Sequence, residues 1–116
     1  MPHEHYKECI EACQNCATMC HHCASACLQE YDVAHLTKCI QLDMECAAIC
    51  EAAARVMSMG GMMATHLCEL CAEICNRCAE ECDKHAVEGM EHCRECAEAC
   101  RKCADACLTM AHAQAS

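Results

Sequence analysis

A chain of 116 residues is one domain by length, and its formal charge of −10, from 18 acidic against 8 basic side chains, sets it against nucleic acid. The few Lys and Arg are scattered singly, so there is no phosphate-binding patch, and no run of about 18 apolar residues reads as a membrane span. Cysteine supplies 19 residues while Phe and Trp are absent, and the odd count, with no apolar segment of a secretory signal near the N-terminus, argues against a disulfide scaffold and for a reducing cytosol.

Four helices are predicted in chain order, all rich in good helix formers. The first, near residues 4–29, follows Pro2 and carries Cys9, Cys13, Cys16, Cys20, Cys23 and Cys27. The stretch 29–33 breaks the cysteine period, with Asp32 as an expected N-cap. The second helix, near 33–58, is sparser in thiols, with Cys39, Cys46 and Cys50, and it ends at Gly60-Gly61. The third, near 62–85, carries Cys68, Cys71, Cys75, Cys78 and Cys82; after Gly89 the fourth, near 89–112, carries Cys93, Cys96, Cys100, Cys103 and Cys107. The last two runs share the pattern Cys-x-x-Cys-Ala-Glu-x-Cys-x-x-Cys-Ala-x-x-Cys, which reads as a duplicated unit. Short connections make consecutive helices antiparallel neighbours. The fold class is therefore all-α, an antiparallel up-down-up-down four-helix bundle over residues 1–116 with a cysteine-lined core.

Spacings of three and four place residues on one stripe of a helix. Heptad lettering, restarted on each helix, puts every one of the 19 cysteines at a or d. That stripe ordinarily holds Leu, Ile and Val. The second helix departs from the pattern, with Asp43, Ala53 and Met57 at core letters. Asp43 either faces the interior as an oxygen ligand or proton acceptor, or a small rotation exposes it and buries Leu42.

Eight Cys-x-x-x-Cys steps result: 9/13, 16/20, 23/27, 46/50, 71/75, 78/82, 96/100 and 103/107. With metal–sulfur bonds of about 2.3 Å, a linear site needs sulfurs roughly 4.6 Å apart, within reach of an i,i+4 pair. Thiolate and thioether ligands select Cu(I), whereas zinc wants four ligands in a tetrahedron. Nineteen thiolates cannot be buried uncompensated, so the empty core should hold neutral thiols, which behave as small hydrophobes. Each bound cation then displaces protons. Near one Cu(I) per cysteine the core returns to neutrality through shared sulfurs. An iron–sulfur cluster would call for a compact run ending in Cys-Pro, which is absent.

Antiparallel packing gathers His3, His5, Met57, Met59, Met62, Met63, His66, Met110 and His112 at one end. Thioether and imidazole bind Cu(I) more weakly than thiolate does, which makes that end the expected metal entrance, against the plainer reading of methionines sealing a bundle. The other end offers His35, His85 and His92, of which only His85 holds a core letter. His21 and His22 sit at outward letters.

A four-helix bundle with Cys-x-x-x-Cys ladders on every helix resembles the bacterial copper storage proteins over essentially the whole chain. The resemblance implies many Cu(I) ions held along the interior by all nineteen cysteines, with His or Met near a mouth and no catalytic residues. With no twin-arginine stretch, the chain is similar to the cytosolic members. It further implies a homotetramer, to which outward Ile10, Leu28, Ile49 and Leu70 would contribute, and exchange of metal with a copper chaperone. The alternative is a zinc or general soft-metal buffer of the metallothionein kind. A thiol enzyme or redox carrier lacks support, since no His and carboxylate pair flanks an isolated cysteine.

Overall fold

The computed structural model describes residues 6–115, with side chains described through residue 113. Four long helices account for most of it: α1 (Lys7–Leu28), α2 (Thr37–Ser58), α3 (Ala64–Ala86) and α4 (Glu91–Ala115), with one 3-10 turn, Val33–Leu36, ahead of α2. Each helix packs against its chain neighbours, and α1 closes the ring against α4. The result is a rod of 48 × 19 × 17 Å.

The narrow cross-section follows from the side chains inside it. Cysteine is short, so facing helices touch only if their backbones come close. Alanine at the letter after d permits this approach: Ala17, Ala24, Ala47, Ala72, Ala79, Ala97 and Ala104 each follow a core cysteine and are themselves buried. The Cys-Ala dipeptide is thus one packing device, with sulfur toward the axis and a methyl group at the helix–helix contact.

Two glycines set the turns. Gly60 (φ 62) and Gly89 (φ 98) adopt the left-handed conformation that L side chains resist. After α2, Gly60 N–H donates to Met57 O and Gly61 N–H to Val56 O, both at 3.0 Å. After α3, Gly89 N–H donates to Ala86 O at 3.0 Å and Met90 N–H to His85 O at 3.2 Å. Both are Schellman closures, which satisfy the last carbonyls of a helix and stop it.

Element ends differ from the sequence expectation where such local geometry decides. The fourth helix begins at Glu91 rather than 89, because Gly89 is spent on closing α3, and it runs on to Ala115. Asp32 precedes the 3-10 turn and makes no side-chain capping hydrogen bond. Only its carbonyl is used, accepting from His35 N–H at 3.2 Å.

That turn carries Leu36 onto the a stripe one heptad before Asp43, where it is fully buried as one of the largest side chains in the core. Leu36→Ala should lower the stability of the apo protein by about 2–5 kcal/mol, measured by urea unfolding under reducing conditions. A loss below about 0.5 kcal/mol would mean that the turn does not seal the bundle.

Candidate metal centre

All nineteen cysteines point inward as free thiols; Cys9 is 3% exposed, Cys68 1% and the other seventeen 0%. Their sulfurs line the bundle axis as a column with one oxygen level in it, at Asp43. At the end where α1 begins, Cys107 lies 3.6 Å from Cys9 and 3.7 Å from Cys13. Cys50 stands 3.5 Å from Cys71, and Cys71 3.8 Å from Cys103. Midway, Cys16 meets Cys100 at 3.7 Å, and Cys46 meets Cys75 at 3.6 Å. At the far end Cys23 meets Cys93 at 3.8 Å, and Cys39 meets Cys82 at 3.7 Å. Diagonal helices, whose backbones do not touch, also meet through sulfur: Cys13 with Cys71 and Cys50 with Cys103, both at 3.9 Å.

These separations bear on the ligand geometry. The i,i+4 pairs 46/50 and 71/75 stand at 3.9 Å and 23/27 at 4.0 Å, short of the span a linear site needs. They suit about 4.0 Å, the edge of three sulfurs around one ion at bonds of about 2.3 Å. A two-sulfur site would need the side chains to open slightly.

Four-sulfur groups with all members within 4.8 Å recur along the column: Cys13, Cys71, Cys103 and Cys107; Cys16, Cys46, Cys50 and Cys75; Cys16, Cys20, Cys46 and Cys100; Cys20, Cys78, Cys96 and Cys100; and Cys23, Cys27, Cys39 and Cys93. Each draws on three helices. The middle three overlap, sharing first Cys16 and Cys46 and then Cys20 and Cys100, so there a sulfur bound to one ion lies in reach of the next.

Asp43 interrupts the column with oxygen. It is fully buried while Leu42 is only half-buried, so α2 is not rotated to expose the carboxyl. Cys78 donates its thiol to Asp43 Oδ1 at 3.2 Å, with Cys96 at 3.4 Å and Cys82 at 3.7 Å on the same oxygen. Oδ2 has no partner among the described residues. Burial leads in pushing this carboxyl up to about 11. It is therefore a neutral acid at neutral pH, able to give up a proton when cations arrive. Burial likewise leads in pushing Cys27 up to about 12.

The residues at the two ends divide by burial. Met57 is fully buried and accepts the Cys68 thiol on its sulfur at 3.6 Å. Met110 is half-buried against the core. Met59, Met62, Met63, His66 and His112 are exposed, and His3 and His5 lie outside the described residues. An open groove lined by Lys7, Glu8, Cys9, Asp105, Ala106, Thr109 and Met110 leads to Cys9. His21 and His22 are exposed.

At the opposite end one ligand-type residue was underrated in the sequence. His92 Nε2 lies 3.5 Å from Cys27 Sγ. It holds letter g, next to the a position of Cys93, and a g side chain can fold over the seam; its adjacency to Cys93 was the available signal.

Asp43 also yields a signed prediction. Folded Asp43 keeps its proton to about pH 11, while an unfolded aspartate loses it near 3.8. Between those values the unfolded chain binds fewer protons, so this group's contribution to stability falls as pH rises. Relative to Asp43→Asn, the apo wild type should lose up to about 1.4 kcal/mol per pH unit between about pH 5 and about pH 9, read from urea midpoints. Parallel pH profiles for the two proteins would mean that Asp43 is ionised in the fold.

Comparison with known proteins gives concordant results. The family model described as copper storage protein (Csp) matches residues 2–112. A cytosolic copper storage protein from Streptomyces lividans, solved during copper loading with five coppers, is 46% identical with a TM-score of 0.89, covering 96% of this chain and 95% of that one. The Cu(I)-bound copper storage protein BsCsp3, of Bacillus subtilis, is 44% identical with a TM-score of 0.86, covering 92% of this chain and 98% of that one. The uncharacterized cysteine-rich protein YhjQ of Bacillus subtilis (strain 168) is 46% identical over 71 residues, which is 60% of this chain and 66% of that protein's length.

Proposed function

This chain belongs to the copper storage protein family, which stores Cu(I) on buried cysteines, and from that premise we propose that all nineteen of its cysteines are ligands in a single storage domain. The observation that carries this reading is the overlap of the sulfur groups. Cys16, Cys20, Cys46 and Cys100 each belong to two of the groups given above, so bridging sulfurs let the number of ions approach the number of thiols. Each incoming Cu(I) replaces a proton, and a filled column is close to neutral where an empty, deprotonated one would not be.

Metal enters over the thioether end. Met57 and Met110 extend the a/d stripe beyond the last thiols, exposed Met59, Met62 and Met63 surround them with His66 and His112, and the groove beside Cys9 supports this direction. A second reading is favoured by one contact, His92 against Cys27, which offers an imidazole step onto the ladder at the other end. The protein works in the cytosol, where thiols stay reduced, takes its metal from a copper chaperone, and forms a homotetramer through apolar positions such as Leu28 and Leu70, which are exposed.

Anaerobic titration of the reduced protein with Cu(I) against a competing chelator tests the ligand set. Well over ten ions per chain, approaching nineteen, is the expected capacity, with protons released in step. Saturation at four or five would overturn it and turn attention to tetrahedral zinc. Stopped-flow loading tests the route: Met57→Leu with Met110→Leu should slow Cu(I) uptake by about tenfold or more at unchanged capacity. Slowing by His92→Ala alone would assign the entrance to the other end.

A further inference from the structure

Outside the sulfur column, the turn that closes α3 brings together a second set of metal-ligating groups. His85 lies on the last turn of α3 and is 3% exposed. Its two ring nitrogens are both engaged: Nε2 with Glu81 Oε2 at 3.0 Å and Nδ1 with Glu88 Oε1 at 2.8 Å. Glu88 also faces His35 from the 3-10 turn, whose Nε2 lies 3.1 Å from Oε1 and 3.0 Å from Oε2. The two imidazoles stand edge to face with centroids 5.0 Å apart. The arrangement depends on Gly89, since its left-handed turn folds Glu88 back over His85.

From these positions the geometry points to a divalent-cation site of the zinc class, ligated by His35 Nε2, His85 Nδ1 and the Glu88 carboxylate, with an open position toward solvent. Imidazole and carboxylate are ligands for borderline divalent metals, while Cu(I) goes to the sulfurs. Metal bonds of about 2.0–2.2 Å put tetrahedral ligands about 3.4 Å apart. His35 Nε2 stands 3.0–3.1 Å and His85 Nδ1 2.8 Å from the Glu88 oxygens, a little inside that edge, and an ion entering there displaces the His85 Nδ1 proton held against Glu88.

Glu81 then has the role of a holder. Its Oε1 is matched by Lys84 at 3.2 Å and Lys38 at 3.8 Å, leaving Oε2 to take the His85 Nε2 proton. A carboxylate on the far nitrogen of a ligating histidine fixes its tautomer and ring orientation. His35 and Glu88 are about half-exposed, so an ion can reach the site without opening the bundle. The ion would tie the 3-10 turn before α2 to the turn after α3, across the end of the column where Cys39 and Cys82 meet.

The test uses Cu(I)-saturated protein, whose copper content is counted first, so that a failure of copper storage is recognised separately. Co(II) serves as the probe, since with its thiols occupied the protein has only nitrogen and oxygen ligands to offer. The expected result is one Co(II) per chain with visible d–d bands and no sulfur-to-cobalt charge transfer. Binding should weaken by about tenfold or more in His35→Ala and in Glu88→Gln, and by about 10–100-fold in Glu81→Gln. His35 is a half-exposed turn residue, so its variant tests the site even if the others disturb the fold. No retained Co(II), a thiolate charge-transfer band, or binding unchanged in His35→Ala and Glu88→Gln would overturn the proposal.

Discussion

Every feature of this bundle answers to the cost of charge in a dry core. A thiol with its proton is a small, weakly polar group that can be buried like a hydrophobe; a thiolate in the same place is prohibitive unless a cation is beside it. A cysteine core is therefore neutral in two conditions, with a proton on each sulfur or with enough cations in their place. Eighteen of the nineteen cysteines are at most 1% exposed and Cys9, at 3%, borders the groove at one end, so charge on the sulfurs has almost no water to stabilise it. Soft cations that share sulfurs satisfy this balance. A divalent ion on four thiolates leaves net negative charge at each site.

The same constraint shapes the packing. A core built of cysteine is thin, and alanine after the d-position cysteines lets the helices close upon it. Across the axis, sulfurs of diagonal helices then come within 3.9 Å although their backbones stay apart. The column is thus a single body rather than four separate stripes. Asp43 fits this logic because burial keeps it protonated. A permanently ionised carboxylate beside Cys78, Cys82 and Cys96 would compete for the cations on which the neighbouring sulfurs depend.

Much of this was legible in the residues because helical period alone assigns a and d. Nineteen cysteines on those letters entail a sulfur interior whatever the details of packing. Other points depend on tertiary geometry that no period carries. Whether Asp43 or Leu42 faces inward is set by the rotation of α2 against its neighbours, which no heptad letter carries. The start of α4 depends on Gly89 closing α3. His92 reads as outward by letter, yet its ring reaches Cys27 because a g side chain lies close enough to bend over the seam. Glu88 reads as a loop residue and acquires partners only because the Schellman turn folds it back.

The two ends of the column are chemically unlike. On either side of Asp43, neighbouring sulfurs lie 3.5–4.0 Å apart, so within each stretch an ion can be handed on without leaving sulfur. An end that stopped at thiolate would hold its last ion as firmly as the middle does, and exchange with a partner would be slow. Weaker ligands stand at both ends instead. The Met57 thioether touches Cys68 at one end, and the His92 imidazole touches Cys27 at the other. The thioether is a soft donor, whereas the imidazole is a borderline one and lies 3.9 Å from Glu30. An ion passing over Met57 would stay on sulfur, whereas one passing over His92 would move to nitrogen, a poorer match for a soft cation.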